Sequence, residues 1–250
     1  MKLRLGSVPF LNAKPLIEGM ERVELSFALP SELAAQLEAG EIDAALVSSV
    51  ELIRRPNLRL VTEVAIASDG PTKSVRLFSK MPLSNVRKVA LDSGSLTSSL
   101  LTRIYFEQRI GIAPEFVSVP ADLETMLELA DAALMIGDAG MSASGGGLTA
   151  IDMGEVWRDW TGLPFVWAGW LAAPDAPFDE IAEVCQSSKA LGLSRLPEIA
   201  QREAVRLSLP FDQCLDYLTN AMKYDLGNRE LEGLERFLTE AGRFARGTTA

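Results

Sequence analysis

EIDAALV at Glu41–Val47 and LADAALM at Leu129–Met135 run into the same tetrapeptide, Asp-Ala-Ala-Leu, and each closes a stretch of similar pattern. Four matching residues carry little weight alone. What surrounds them carries more. Before the first lie LRLGSV (3–8), AKPLIEGM (13–20), VELSFAL (23–29) and SELAAQLEAG (31–40), short apolar runs alternating with helical periods. They read as β-α-β-α-β. Before the second lie VRKVALD (86–92), a helix opened by the hydroxyl-rich Ser95–Ser99, FVSVP (116–120) and DLETMLELA (122–130), and the same order returns. In the first unit Pro15 suits an opening helical turn, Ser31 is a natural N-cap and Gly40 a natural stop.

Working outward, LRLVTEVAIA (58–67), KSVRLFS (73–79) and LPFVWAGWLAA (163–173) read as further strands. The segments 176–192, 195–207, 210–222 and 228–245 are helical by period. Helices that follow two α/β units are expected to cover the first sheet. The chain thus reads as a two-lobed α/β protein, residues 1–82 with 167–250 forming one lobe and an inserted 83–166 the other. It crosses between lobes near Lys80–Asn85 and Gly162–Val166, and a ligand cleft lies between the lobes. Ser142–Gly147, SASGGG, reads as a loop.

Composition narrows the function. The 250 residues are 48% apolar and 23% charged, enough for a core without metals or disulfides. There is no histidine, which excludes imidazole acid/base chemistry, His-based triads and His-ligated metals. Cys185 and Cys214 stand apart in apolar-periodic segments and read as buried free thiols. A net charge of −10 argues against a nucleic-acid partner, so an anionic ligand must be held by local dipoles. Lys2 and Arg4 are followed by Pro9 and Pro15 rather than by a continuous apolar stretch, and no segment has the length of a membrane span. The expected setting is the cytoplasm, with no membrane, no obligate protein partner, no cofactor and no metal.

The loops at strand ends hold the candidate site. GSVPFLNAKPL (6–16) puts Asn12 and Lys14 at the mouth of the first helix, where open α/β sheets bind ligands. Asn12 reads either as a ligand contact or as an N-cap that binds nothing. DSGSLTSS (92–99) gathers Ser95, Thr97 and Ser98 at a helix N-terminus, an end that binds carboxylate or phosphate without Lys or Arg, though the same residues also serve as caps. IGDAG (136–140) places Gly137 and Asp138 after a strand, and Ser48 and Ser49 are their counterparts in the first lobe. Ser74 and Arg76 alternate along KSVRLFS and are expected on one face. Trp157, Trp160, Trp167 and Trp170 read mainly as packing. The Gly145–Gly147 run lacks the Gly-Lys-Ser/Thr ending of a phosphate loop.

GSVPFLNAKPL, DAALVSS (43–49), KSVRLFSK (73–80), LTSSLL (96–101), IGDAG, WTGLPFVWAGW (160–170) and YDLGNRELEGLERF (224–237), in this order, resemble the chorismate dehydratases of the futalosine route to menaquinone. The resemblance implies a type II periplasmic-binding-protein-like fold that converts chorismate, a small anionic substrate, to 3-[(1-carboxyvinyl)oxy]benzoate and water. With that chemistry the residues at the strand ends take expected roles, Asn12 and Ser74 in catalysis, orienting the ring and the leaving hydroxyl, and Ser48, Ser49, Ser95, Thr97, Ser98, Gly137 and Asp138 in binding, with helix ends holding the two carboxylates. The resemblance also suggests that the substrate's own enolpyruvyl carboxylate takes the proton. One position departs: Leu96 stands where that family often has arginine. The 1,4-dihydroxy-6-naphthoate synthases, expected to use a histidine base, fit this chain poorly. A non-catalytic small-anion solute-binding protein of the same fold is the alternative. A ligand-sensing regulator would need an output module for which the chain has no room.

Overall fold

A computed structural model describes residues 2–247 of the chain. Its strands are β1 (Arg4–Ser7), β2 (Glu24–Phe27), β3 (Ala44–Ser48), β4 (Arg59–Ser68), β5 (Arg76–Ser79), β6 (Lys88–Asp92), β7 (Glu115–Val119), β8 (Ala132–Met135), β9 (Thr149–Asp152) and β10 (Phe165–Ala172). They form two five-stranded sheets, ordered β2-β1-β3-β10-β4 and β7-β6-β8-β5-β9. In each sheet three parallel strands are followed by an antiparallel strand, β10 in the first and β5 in the second. The second sheet thus repeats the plan of the first.

The shared tetrapeptide has a structural cause. Asp43, just before β3, accepts the Arg4 amide on its carboxylate (2.8 Å), and its own amide donates to the Arg4 carbonyl (2.7 Å). Asp131, just before β8, accepts the Arg87 and Lys88 amides (2.9 and 3.1 Å), and its amide donates to the Lys88 carbonyl (2.9 Å). In both lobes one aspartate ties the third strand to the start of the central parallel strand. The alanines after it are fully buried.

The helices are α1 (Pro30–Glu38), α2 (Glu51–Arg54), α3 (Thr97–Tyr105), α4 (Leu123–Leu129), α5 (Gly137–Ser142), α6 (Met153–Thr161), α7 (Phe178–Ser194), α8 (Leu196–Leu207), α9 (Phe211–Asp216) and α10 (Asn228–Gly247). The AKPLIEGM segment forms a 3-10 helix at Leu11–Leu16, with α7 and α8 packed on it. As expected, the C-terminal helices cover the first sheet: α7 lies on β4 and α10 on β10. Where the lobes meet, Trp157 of α6, Phe165 of β10 and Phe237 of α10 interlock edge to face. Cys185 and Cys214 are free and buried, and burial pushes the Cys185 thiol up to about 12.

Three expectations need correction. β5, read into the first lobe, pairs with β8 and β9 of the second sheet, so the first crossing lies at residues 69–75 rather than 80–85 and the boundary at residue 82 is too late. The ten-residue β4 ends at Ser68, and Gly70, at φ +117°, redirects the chain. Phe165 and Val166, read into the second lobe, pair with β4. Ser31 is not the N-cap of α1, because Pro30 already occupies its first turn and Leu29 is the cap, with Glu32 accepting the Leu29 amide. Beyond the glycine loop, Leu148 leads into β9, whose short and half-exposed TAID gives almost no alternation.

Candidate active site

The cleft holds a pocket with walls from both lobes. Asn12, Ser48 and Trp167 line it from the first lobe, and Ser74, Ser95, Thr97, Ser98 and Gly137 from the second. Among the described residues that line it, none is charged. Ser49 and Asp138 stand outside this lining. Trp157, Trp160 and Trp170 pack as expected, whereas Trp167 forms pocket wall, and its indole donates to Ser68 (3.1 Å).

Asn12 is the second residue of the 3-10 helix, whose N-cap is Phe10 without any side-chain capping bond. The N-cap alternative for Asn12 therefore falls. Its Oδ1 is buried with no hydrogen-bond partner among the described residues. A buried acceptor left unpaired costs about 1–3 kcal/mol, which a ligand hydrogen recovers. Ser74 lines the pocket, whereas Arg76 does not. Ser74 precedes β5, where the chain has just turned through Lys73 at φ 62°, so strand alternation does not apply. Arg76 instead lies over the Phe78 ring and donates to the Ala143 carbonyl (3.0 Å).

Sequence reading missed Tyr217. The helix α9 widens into a π-helical turn at Tyr217–Ala221, and the phenol reaches Ser74 Oγ at 2.9 Å. Nothing in PFDQCLDYLTNAM separates this tyrosine from an ordinary core residue. Only the hydroxyl on an otherwise apolar buried face hints that it needs a partner.

The start of α3 supplies donors. Ser95 Oγ accepts the Ser99 amide (3.1 Å), while Thr97 and Ser98 lead the helix, where amides have no carbonyl four residues back. Such an end favours a carboxylate. Leu96 lines the pocket as apolar wall, so a carboxylate seated here depends on hydroxyls and backbone. Beneath it, Asp92 accepts the Gly94 amide (2.9 Å) and ties down the turn. Burial raises its carboxyl, with the Gly94 and Ile136 amides opposing.

Ser49 and Asp138 join the lobes. Ser49 donates its single hydrogen to the Val166 carbonyl (2.8 Å), so in its 3.3 Å contact with Thr97 it is the acceptor. Thr97 Oγ1 also accepts the Val50 amide (3.2 Å). Asp138 accepts the Leu11 amide (2.9 Å) and pairs with Arg206 (3.1 Å). Thr97 thus both lines the pocket and holds it closed. Thr97→Ala is expected to weaken ligand binding by about 1–3 kcal/mol, measured by calorimetry. Equal affinities would show that the latch contributes nothing.

A family model described as menaquinone biosynthesis matches residues 3–243. A chorismate dehydratase of Thermus thermophilus is 29% identical over 259 residues, covering 95% of this chain and 94% of that protein. Among solved structures, a protein of Archaeoglobus fulgidus superposes with a TM-score of 0.82 at 18% identity, covering 99% of this chain and 98% of that one. The periplasmic aliphatic sulphonate binding protein of Escherichia coli does so with a TM-score of 0.67 at 20% identity, covering 100% and 88%. The fold is that of the periplasmic binding proteins.

Proposed function

Because the chain belongs to the menaquinone biosynthesis family, we propose that it is a chorismate dehydratase, forming 3-[(1-carboxyvinyl)oxy]benzoate and water. The observation that carries this reading is a pocket between the lobes whose described lining offers hydroxyls, amides and one unpaired amide oxygen but no charged side chain. Dehydration of chorismate suits such a site. The ring C–H beside the 4-hydroxyl breaks, its electron pair enters the ring, the C–O bond breaks, and the hydroxyl leaves with the proton as water. The product is aromatic, so the reaction needs positioning more than a strong base.

In this account Asn12 Oδ1 accepts a hydrogen bond from the 4-hydroxyl and Ser74 donates to its oxygen as the C–O bond lengthens. The start of α3 holds a carboxylate. With no ionisable side chain in the lining, the proton acceptor is the substrate's enolpyruvyl carboxylate, as the family resemblance suggests. Ser48 and the Gly137 backbone complete the seat, while Ser49 and Asp138 contribute by keeping the lobes together. The reaction belongs in the cytoplasm, since a dianion does not cross a bilayer unaided. No helix among the described residues is long and apolar enough to cross a membrane.

Incubating purified protein with chorismate and following the products by mass spectrometry tests the assignment: loss of one water supports it, and chorismate bound but unchanged supports a receptor. Activity is expected to survive chelator treatment, because the chain has no histidine and the described residues hold no cluster of three or more Cys, Asp or Glu suited to a metal. A loss that zinc or magnesium restores would contradict this.

A further inference from the structure

Hydrogen-bond arithmetic around Ser74 leaves its hydroxyl one direction. Thr72 Oγ1 accepts the Ser74 amide (3.1 Å) and the Val75 amide (3.0 Å), which fills both lone pairs. Its own hydrogen must therefore be the one in the 3.2 Å contact with Ser74 Oγ. Ser74 Oγ also accepts the Tyr217 phenol at 2.9 Å, so it too has both lone pairs occupied. The Ser74 hydrogen has neither neighbour to go to and points into the pocket that Ser74 lines.

We propose that Tyr217 is a positioning residue: by donating to Ser74 Oγ, it fixes Ser74 as a hydrogen-bond donor beside the Asn12 acceptor and so specifies a seat for one substrate hydroxyl. The inference rests on the dehydratase reading of this pocket and deepens it. A hydroxyl both accepts and donates, and so matches an O–H from Ser74 together with the open Oδ1 of Asn12. A carboxylate accepts only, and the Asn12 oxygen repels it, so the two kinds of group on chorismate are told apart by hydrogen direction rather than by charge. Burial raises the Tyr217 phenol far above its ordinary value, so it remains a donor through the neutral range. The Asn12 Oδ1 has no partner among the described residues and stays open to the ligand.

The test is kinetics on the full chain with Tyr217→Phe, which removes one oxygen and keeps the ring. The expected result is a fall in kcat of about tenfold or more with KM changed by less than about threefold, at temperatures below the variant's melting point. The diagnostic readout is coupling: Tyr217→Phe combined with Ser74→Ala is expected to be no slower than Ser74→Ala alone. Losses that multiply, or an unchanged kcat in Tyr217→Phe, would overturn the proposal. A measurement on the wild type needs no folded variant. An analogue lacking the 4-hydroxyl is expected to bind at least about tenfold more weakly than chorismate, and equal binding would overturn the donor–acceptor seat. Wild-type protein inert towards chorismate overturns the functional reading and this inference together, whereas an active wild type with an indifferent Tyr217→Phe overturns this inference alone.

Discussion

Asn12→Ala is expected to lower kcat on chorismate by about 100-fold or more while leaving the melting temperature essentially unchanged. Asn12 follows the end of β1 by a few residues, inside a 3-10 helix whose cap is Phe10, so no capping bond is lost with its side chain. A true cap would cost about 0.5–2 kcal/mol of stability. Here the variant instead removes a buried oxygen that has no protein partner, which gives the folded state nothing to lose. What disappears is the acceptor that orients the 4-hydroxyl for departure, a contribution of positioning. Thermal melting paired with single-turnover kinetics separates the two roles. A variant that melts several degrees lower yet turns over normally would make Asn12 structural.

Gly140→Ala is expected to do the opposite and damage fold and activity together. A Cβ at Gly140 would stand 2.2 Å from the Ser74 carbonyl oxygen and 2.9 Å from that of Met135, both backbone atoms with nowhere to rotate. The helix α5 must then move off β8 and off the turn that carries Ser74. Overpacking of this kind costs about 1–3 kcal/mol. In a chain of this size that lowers Tm by roughly 2–10 °C. Because Ser74 moves with its carbonyl, kcat falls as well, by about tenfold or more if the donor shifts by an ångström. Wild-type melting and turnover in this variant would show that α5 does not hold Ser74 in place.

The alternation of apolar runs and helical periods made both α/β units readable, since buried parallel strands are near-continuous apolar runs that composition alone exposes. The Asp-Ala-Ala-Leu echo was legible as a repeat, but its cause, an aspartate tying two strand starts together, needed coordinates. β5 was misassigned because an antiparallel strand looks the same whichever sheet it joins. Its membership is set by long-range pairing with β8 and β9. Asn12, Ser48, Ser74, Ser95, Thr97, Ser98 and Gly137 could be gathered from strand ends because loops there face the cleft. That rule does not tell lining from latch, so it placed Ser49 and Asp138 in the same group although their contacts with Thr97 and Leu11 run between the lobes. Tyr217 was out of reach because its position follows from a π-helical turn with no sequence signature.

The proposed dehydration requires that this pocket position chorismate and that the substrate's enolpyruvyl carboxylate take the ring proton. The most direct measurement pairs chorismate with its analogue in which that carboxylate is a neutral amide, scoring binding by calorimetry and water loss by mass spectrometry for each. The predicted result is that chorismate is converted while the amide binds and stays intact. Conversion of the amide at a comparable rate would contradict the proposal by showing that the protein supplies the base, and chorismate bound but unchanged would contradict it by showing a receptor.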